Sequence, residues 1–207
     1  AGIAFDSEDN LYVVDTGNNR IQKFTKDGQF LAKWGQQGSG DGEFDMPWGI
    51  GLDADNNVYI ADWRNDRIQK FAPDGSFLMA FGESGSEDGQ FNRPADVAVD
   101  KEGLIYVADW RTDRVQVFAA EGRFITEIIG DATLSKWGIT KLDANPDMKT
   151  QRDIAQGLER EKFLRGPMGV VVDDQDQVFI VDSQRNRIQI YRKIPPFFVG
   201  LYDGGRL

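Results

Sequence analysis

The residues of this chain that could do chemistry are carboxylates, arginines and tryptophans, because the sequence contains no histidine and no cysteine. The lack of cysteine excludes disulfides and thiolate metal sites. The lack of histidine removes the commonest metal ligand and the usual general base at neutral pH. A site within these residues is therefore expected to use oxygen ligands, guanidinium groups and aromatic rings.

Aspartate and arginine recur in pairs along the chain, five residues apart. A catalytic residue is needed once in a protein, whereas a structural brace is needed in every repeat. The carboxylate can accept backbone N–H groups across a tight loop, and the guanidinium can bind it in a bidentate manner. We interpret these as structural repeat pairs: Asp15/Arg20, Asp62/Arg67, Asp109/Arg114 and Asp182/Arg187.

Residues that differ between the copies are better candidates for a binding site. After two of the four paired aspartates the chain continues with Trp and Arg, whereas the other two copies have small or polar residues there. A further tryptophan opens one copy, and one aspartate replaces a repeated glycine. Exposed Trp and Arg concentrate binding energy at interfaces. The candidate ligand-binding residues are Trp48, Trp63, Arg64, Asp96, Trp110 and Arg111.

A structural role for the two loop tryptophans is the alternative. Trp63 and Trp110 would then pack between neighbouring repeats, with Arg64 and Arg111 covering the indole rings through their apolar stems. Both interpretations stay open at the level of the sequence.

The elements that position these residues belong to an internal repeat. The Asp–Arg pairs are separated by 47, 47 and 73 residues, so the third and fourth copies have 26 additional residues between them. Each copy carries four short apolar segments of strand type, separated by turns rich in Asp, Asn and Gly. Four antiparallel strands in a repeat of this length predict a β-propeller blade. A solenoid is the alternative, but its strands would be parallel and its repeats shorter.

The first copy contains YVVDTGNNRIQKF, then DGQF and the closing GSGDGEFDMP, and it resembles the NHL repeat. The second and third copies match as well. The resemblance covers nearly all of the chain except the insertion and the C-terminal tail. It implies β-propeller blades, usually six in a ring in this family, of the type seen in bacterial NHL repeat proteins.

We therefore expect an all-β chain of four-stranded antiparallel blades, as a fragment or an open arc of a six-bladed ring. Because residue 1 is Ala and lies where a strand should already be under way, we favour the fragment, a partial chain. The four blades are expected at about residues 1–47, 48–94, 95–130 and 167–207 of one propeller segment.

Residues 131–163 are expected to form a largely helical or loop insertion. Asn145 and Pro146 form a helix start signal, and residues 150–162 are predicted to form one short helix. The glycine-rich connections between blades are expected to end in a phenylalanine plug, namely Phe44, Phe91 and Phe163. The fourth strand of the last blade is expected at residues 197–202.

Alternating strand directions place the loops between second and third strands on the same face as the connections between blades. We call this the upper face. We expect it to bind a protein or peptide as a scaffold or binding module, with Trp48, Trp63 and Trp110 as anchors. Arg64 and Arg111 would select an acidic or hydrogen-bonding partner.

The alternative is a small-molecule site at the central channel over Asp96, with Arg93 and Arg165 close by in the chain. Such a propeller would bind carbohydrate, or would act as a hydrolase resembling the six-bladed sugar lactonases with a divalent cation such as Ca²⁺. No matching set of ligands or nucleophile motif accompanies Asp96. We therefore expect no catalytic residue, no metal ligand and no cofactor, and consider an enzyme the weaker interpretation.

The formal net charge of −10 disfavours nucleic acid as a partner, because a polyanion needs a basic surface. No apolar run reaches the length of about 20 residues that a membrane helix needs. The chain does not begin with Met, so a leader could have preceded it, and exported and cytoplasmic locations both stay open.

Overall fold

The computed structural model of the chain describes residues 2–131, 136–155, 157–194 and 197–200. Within them, four antiparallel sheets each contain four strands in sequence order. The first sheet consists of β1 (Ile3–Phe5), β2 (Leu11–Asp15), β3 (Arg20–Phe24) and β4 (Phe30–Trp34). The second consists of β5 (Pro47–Leu52), β6 (Val58–Asp62), β7 (Arg67–Phe71) and β8 (Phe77–Phe81).

The third sheet consists of β9 (Pro94–Val99), β10 (Ile105–Asp109), β11 (Arg114–Phe118) and β12 (Phe124–Ile128). The fourth consists of β13 (Pro167–Val172), β14 (Gln177–Asp182), β15 (Arg187–Ile194) and β16 (Phe197–Gly200). We call the sheets blades one to four. This arrangement confirms the predicted all-β architecture of four-stranded antiparallel blades.

Local side-chain chemistry forms the hairpin between the first two strands of each blade. In blade two the Asp53 carboxylate accepts the backbone amides of Asp55 and Asn57 at 3.0 and 2.9 Å. Asn56 takes a positive φ of 61°, which Asn tolerates better than most residues. The turn is therefore set by the sequence between β5 and β6, independently of the other blades.

The hydrophobic core lies between neighbouring blades. One cluster joins blades one and two, a second joins blades two and three, and a third joins blades three and four. The second strands β6 and β10 are buried along their whole length, whereas the fourth strands alternate between partly buried and exposed residues. The blades therefore pack face to face, with their fourth strands outermost.

The aromatic plugs follow the prediction in two of the three connections. Phe44 and Phe91 are both 0% exposed. Phe163 was expected to be the third plug, and this was wrong: it is 44% exposed, and Leu164 is buried in its place. Leu164 stands three residues before the proline that opens the next blade, as Phe44 and Phe91 do, so the distance to the blade decides which residue points inward.

The insertion contains two helices, α1 (Lys136–Asp143) and α2 (Pro146–Ile154), and a 3₁₀ turn at Leu158–Glu161. Asn145 caps α2 and accepts the amide of Met148 at 3.3 Å. The helix start was therefore predicted correctly, but a single helix over 150–162 was wrong, because α2 ends at Ile154. Residues 132–135 and 156 of the insertion, and 201–202 of the predicted last strand, lie outside the described residues.

Neither described helix is long and apolar enough to cross a membrane.

Candidate binding site on the upper face

The loops between second and third strands lie against the connection from the preceding blade. In blade two the amide of Arg64 donates to the Asp45 carbonyl at 3.0 Å. In blade four the amide of Gln184 donates to the Arg165 carbonyl at 3.2 Å. Loops and connections thus share one face of each blade, and this face is the upper face.

The Asp–Arg pairs hold each loop to that connection. Asp62 is fully buried, and one of its oxygens accepts the amide of Asp45 at 2.8 Å. Its other oxygen accepts the side chains of Asn65 at 2.8 Å and Arg67 at 3.0 Å. Arg67 also donates to the carbonyls of the connection, including that of Ser39 at 2.8 Å. These hydrogen bonds tie the loop to the connection through buried and partly buried polar groups, which is the contact pattern of a structural brace.

The Asp–Arg contact is equally close in blades one and four, and it is looser in blade three. Arg20 and Arg187 lie 2.8 and 2.7 Å from their aspartates. In blade three the Nε of Arg114 lies 3.8 Å from Asp109 and has no hydrogen-bond partner among the described residues. Burial raises the pKa of Asp109 to about 6, against the lowering effect of the hydrogen bonds from Thr112 and the Asn92 amide.

Three of the predicted site residues come together in one aromatic cluster. The ring centroids of Trp48 and Trp63 lie 5.5 Å apart, with 39° between the ring planes. Those of Trp63 and Trp110 lie 5.3 Å apart, with 31° between the planes. All three side chains are half-buried. We call Trp48, Trp63 and Trp110 the aromatic row; it crosses from blade two to blade three.

Gly166, at the start of blade four, supports the end of the aromatic row. A Cβ on this residue would lie 3.0 Å from the indole Nε1 of Trp110 and 2.7 Å from the side-chain nitrogen of Gln184. Its φ of 59° is also a conformation that favours glycine. Sequence reasoning missed this residue, although it stands where blades two and three carry Met46 and Arg93.

The two loop arginines differ in their contacts. The guanidinium of Arg111 lies over the Trp110 ring, 5.5 Å from its centroid. Arg64 instead reaches the carboxylate of Asp45 at 3.8 Å and keeps half of its side chain exposed. The alternative in which each arginine covers its own indole therefore describes Arg111 and not Arg64.

Asp96 joins the inner strands of three blades. Its Oδ2 accepts the amide of Val170 in blade four at 3.0 Å, and the amides of Ile50 and Val97 also donate to the carboxylate. A Cβ on Gly49 would lie 2.4 Å from the Asp96 Cα, so the neighbouring strand needs glycine at that point.

Burial outweighs the amide hydrogen bonds at Asp96 and raises its pKa to about 6. Among the described residues, no group of three or more His, Cys, Asp or Glu side chains is arranged to hold a metal ion. The structure therefore gives Asp96 backbone partners rather than a second carboxylate with which it could coordinate a cation.

Two protein-family models match the chain. The NHL repeat model matches residues 91–118 and 164–191, and a model described as a six-bladed beta-propeller, DUF5128, matches residues 3–82. The second match agrees with the predicted six-bladed ring. A search of curated proteins found no match.

Solved structures similar to the chain include lyases and WD40 proteins. A streptogramin B lyase is 14% identical, with a TM-score of 0.62, and the alignment covers 96% of this chain and 52% of the lyase. A virginiamycin B lyase from Staphylococcus aureus is 13% identical, with a TM-score of 0.61, over 96% and 53% of the two chains. The WD40 repeats of RRP9 are 10% identical, with a TM-score of 0.65, over 97% and 50%.

The chain thus spans about half the length of these structures, and at such low identity the likeness shows the propeller fold alone.

Proposed function

We propose that the upper face of this β-propeller is a binding surface for a protein or peptide. The observation that carries the proposal is the aromatic row. Its three tryptophans come from separate points of the chain and meet with half-buried rings on one face. Stacked rings on braced loops are already ordered, so a ligand would bind there with little loss of side-chain entropy.

The geometry of the row favours a peptide over a sugar. A pyranose ring stacks on the open face of an aromatic side chain. Here the faces of Trp63 are turned toward Trp48 and Trp110, and Arg111 covers Trp110. A sugar would therefore have to stack on rings that already contact one another, whereas the apolar side chains of a peptide need no open ring face.

The alternative of an enzyme with a site over Asp96 has less support. The Asp96 carboxylate is occupied by backbone amides. One similar solved structure is a catalytically inactive His-to-Ala variant of virginiamycin B lyase with quinupristin. These 207 residues contain no histidine that could take a corresponding part.

The test replaces Trp63 and Trp110 together by alanine in the full-length protein. Random dodecapeptides displayed on phage are selected on the wild-type protein, and the affinities of the selected peptides are then measured by fluorescence anisotropy. We expect the double variant to bind at least about tenfold more weakly, because it loses two central anchors.

Leu78→Ala is the matched control, because Leu78 is 49% exposed on the outermost strand of blade two, away from the aromatic row. Circular dichroism checks that both variants are folded. Equal binding by the double variant and the wild type would remove the aromatic row from the site.

A further inference from the structure

Three arginines close to the aromatic row lack a carboxylate partner. Arg93, Arg111 and Arg165 form no ion pair within the part of the chain that the structure describes. The chain has 34 acidic and 24 basic residues, so carboxylates are in excess. Three arginines without a carboxylate partner among the described residues, all near one face, are therefore unexpected on an acidic protein.

Each of the three arginines is tied to the aromatic row by its backbone or its side chain. The carbonyl of Arg93 accepts the amide of Trp110 at 3.3 Å, and its Nη1 lies 3.5 Å from the carbonyl of Trp63. Arg165 directly precedes Gly166, the glycine on which the Trp110 indole rests. Arg111 stacks on Trp110 itself. Arg93 and Arg111 thus lie beside the row, and Arg165 begins one residue from its end.

The three guanidinium groups keep free donors. A guanidinium that stacks on an indole leaves its in-plane N–H groups available for a carboxylate. Among the described residues, Arg93 uses one of its five guanidinium donors on the carbonyl of Trp63. The exposed Arg165 donates there only its backbone amide, to Asp182. Arg64 differs, because Asp45 already neutralises it in part at 3.8 Å.

We infer that the peptide bound on the upper face is an acidic segment, whose carboxylates pair with Arg93, Arg111 and Arg165 while an apolar side chain contacts the aromatic row. This rests on the proposed function. Of the two arginines to which the sequence pointed, it keeps Arg111 and replaces Arg64 by Arg93 and Arg165.

Selection of displayed peptides tests the inference with the same library. We expect the peptides that bind the full-length protein to be enriched in Asp and Glu next to apolar residues. Arg93→Gln, Arg111→Gln and Arg165→Gln should each weaken binding of a selected peptide by up to about fivefold, and added salt should reduce these differences.

Replacing the acidic residues of the peptide by Asn and Gln should abolish the difference between wild type and the three variants. Two control substitutions remove a guanidinium that already has a carboxylate partner. Arg64→Gln should change affinity less than the three test variants, and Arg123→Gln, whose guanidinium contacts Glu121 far from the row, should leave it unchanged.

If the selected peptides are neutral or basic and their binding still requires Trp63 and Trp110, the inference of an acidic ligand is wrong. The proposed function, a peptide-binding upper face, would then still stand. Failure to select any peptide would count against both. Fluorescent polygalacturonate and poly(U) RNA are tested in the same way. If one of them binds in place of peptides and requires Trp63 and Trp110, both the peptide-binding function and the acidic peptide are wrong, and the ligand is that polyanion.

Discussion

At the scale of single residues, the surroundings give the aspartates Asp6 and Asp96 opposite properties. At Asp6, burial would raise the pKa, but hydrogen bonds from Asn10 and Lys23 outweigh it and lower the pKa to about 2. At Asp96 burial prevails over the backbone amides and the pKa rises to about 6. Asp96 thus joins three inner strands but is held there at an electrostatic cost when it is ionised.

The raised pKa of Asp96 predicts a specific pH dependence of stability. A carboxyl group whose folded pKa is above its unfolded value of 3.8 binds more protons in the folded state between these values. Its contribution to stability therefore falls as the pH rises from about 4 to about 6. We expect the free energy of unfolding of Asp96→Asn to improve relative to wild type over that interval, by at most about 3 kcal/mol.

Urea titrations at several pH values between 4 and 7.5 measure this difference. Asp6→Asn serves as the contrast, because the lowered pKa of Asp6 makes its contribution fall as the pH decreases from about 4 toward 2. A constant difference between Asp96→Asn and wild type would show that the buried carboxylate does not titrate there.

At the scale of elements, the connections between blades are built from a few fixed contacts. The paired aspartate of each following blade accepts an amide of the connection, as Asp62 does with Asp45. An apolar plug then fills the space beneath it. The third connection contains the insertion, yet it also returns to its blade through a buried plug, Leu164, whose amide donates to the Ile129 carbonyl at 2.8 Å. The insertion is therefore accommodated between the same two kinds of contact.

Neighbouring residues of this connection give a matched test. Leu164→Ala should lower the free energy of unfolding by about 2–5 kcal/mol, because it empties a buried plug position. Phe163→Ala should cost less than about 1 kcal/mol, because nearly half of that side chain is already exposed. Chemical denaturation of both variants decides between them, and a larger loss for Phe163→Ala would reverse the assignment of the plug.

At the scale of the whole molecule, the four blades form an arc with two uncovered faces. Ile68 in blade two is 0% exposed under blade three, whereas Ile188 at the equivalent position of blade four is 60% exposed. At the other end, Ile3 and Phe5 of blade one are 63% and 59% exposed. Both ends therefore carry the apolar pattern of a covered blade face, and no described residue covers these side chains.

The uncovered face of blade four predicts a difference between equivalent substitutions. In the 207-residue chain, Ile68→Ala should lower the free energy of unfolding by about 2–5 kcal/mol, and Ile188→Ala by less than about 1 kcal/mol. In a longer chain with a further blade packed on blade four, the cost of Ile188→Ala should rise toward that of Ile68→Ala. Thermal unfolding of both variants in both chain lengths measures these costs. Equal costs of the two substitutions in the 207-residue chain would contradict the exposure of Ile188.

The sequence by itself determined the repeat, the four-stranded blades, the turns and the face on which the loop tryptophans lie. These depend on local periodicity and on turn residues such as Asp53 and Asn56, which act within a few residues of the chain. The Asp–Arg pairs belong to this group as well, because the two partners face each other across one hairpin.

Tertiary structure decided which side chains from different blades meet. Lys193 of blade four pairs with Asp100 of blade three at 2.9 Å, where blades one and two use a lysine of their own third strand, as Lys23 does with Asp6. Likewise, the different contacts of Arg64, which reaches the Asp45 carboxylate, and Arg111, which lies over the Trp110 ring, are seen only in the folded structure. Such contacts join residues far apart in the chain, and their geometry depends on the packing of complete blades, which local propensity and spacing do not specify.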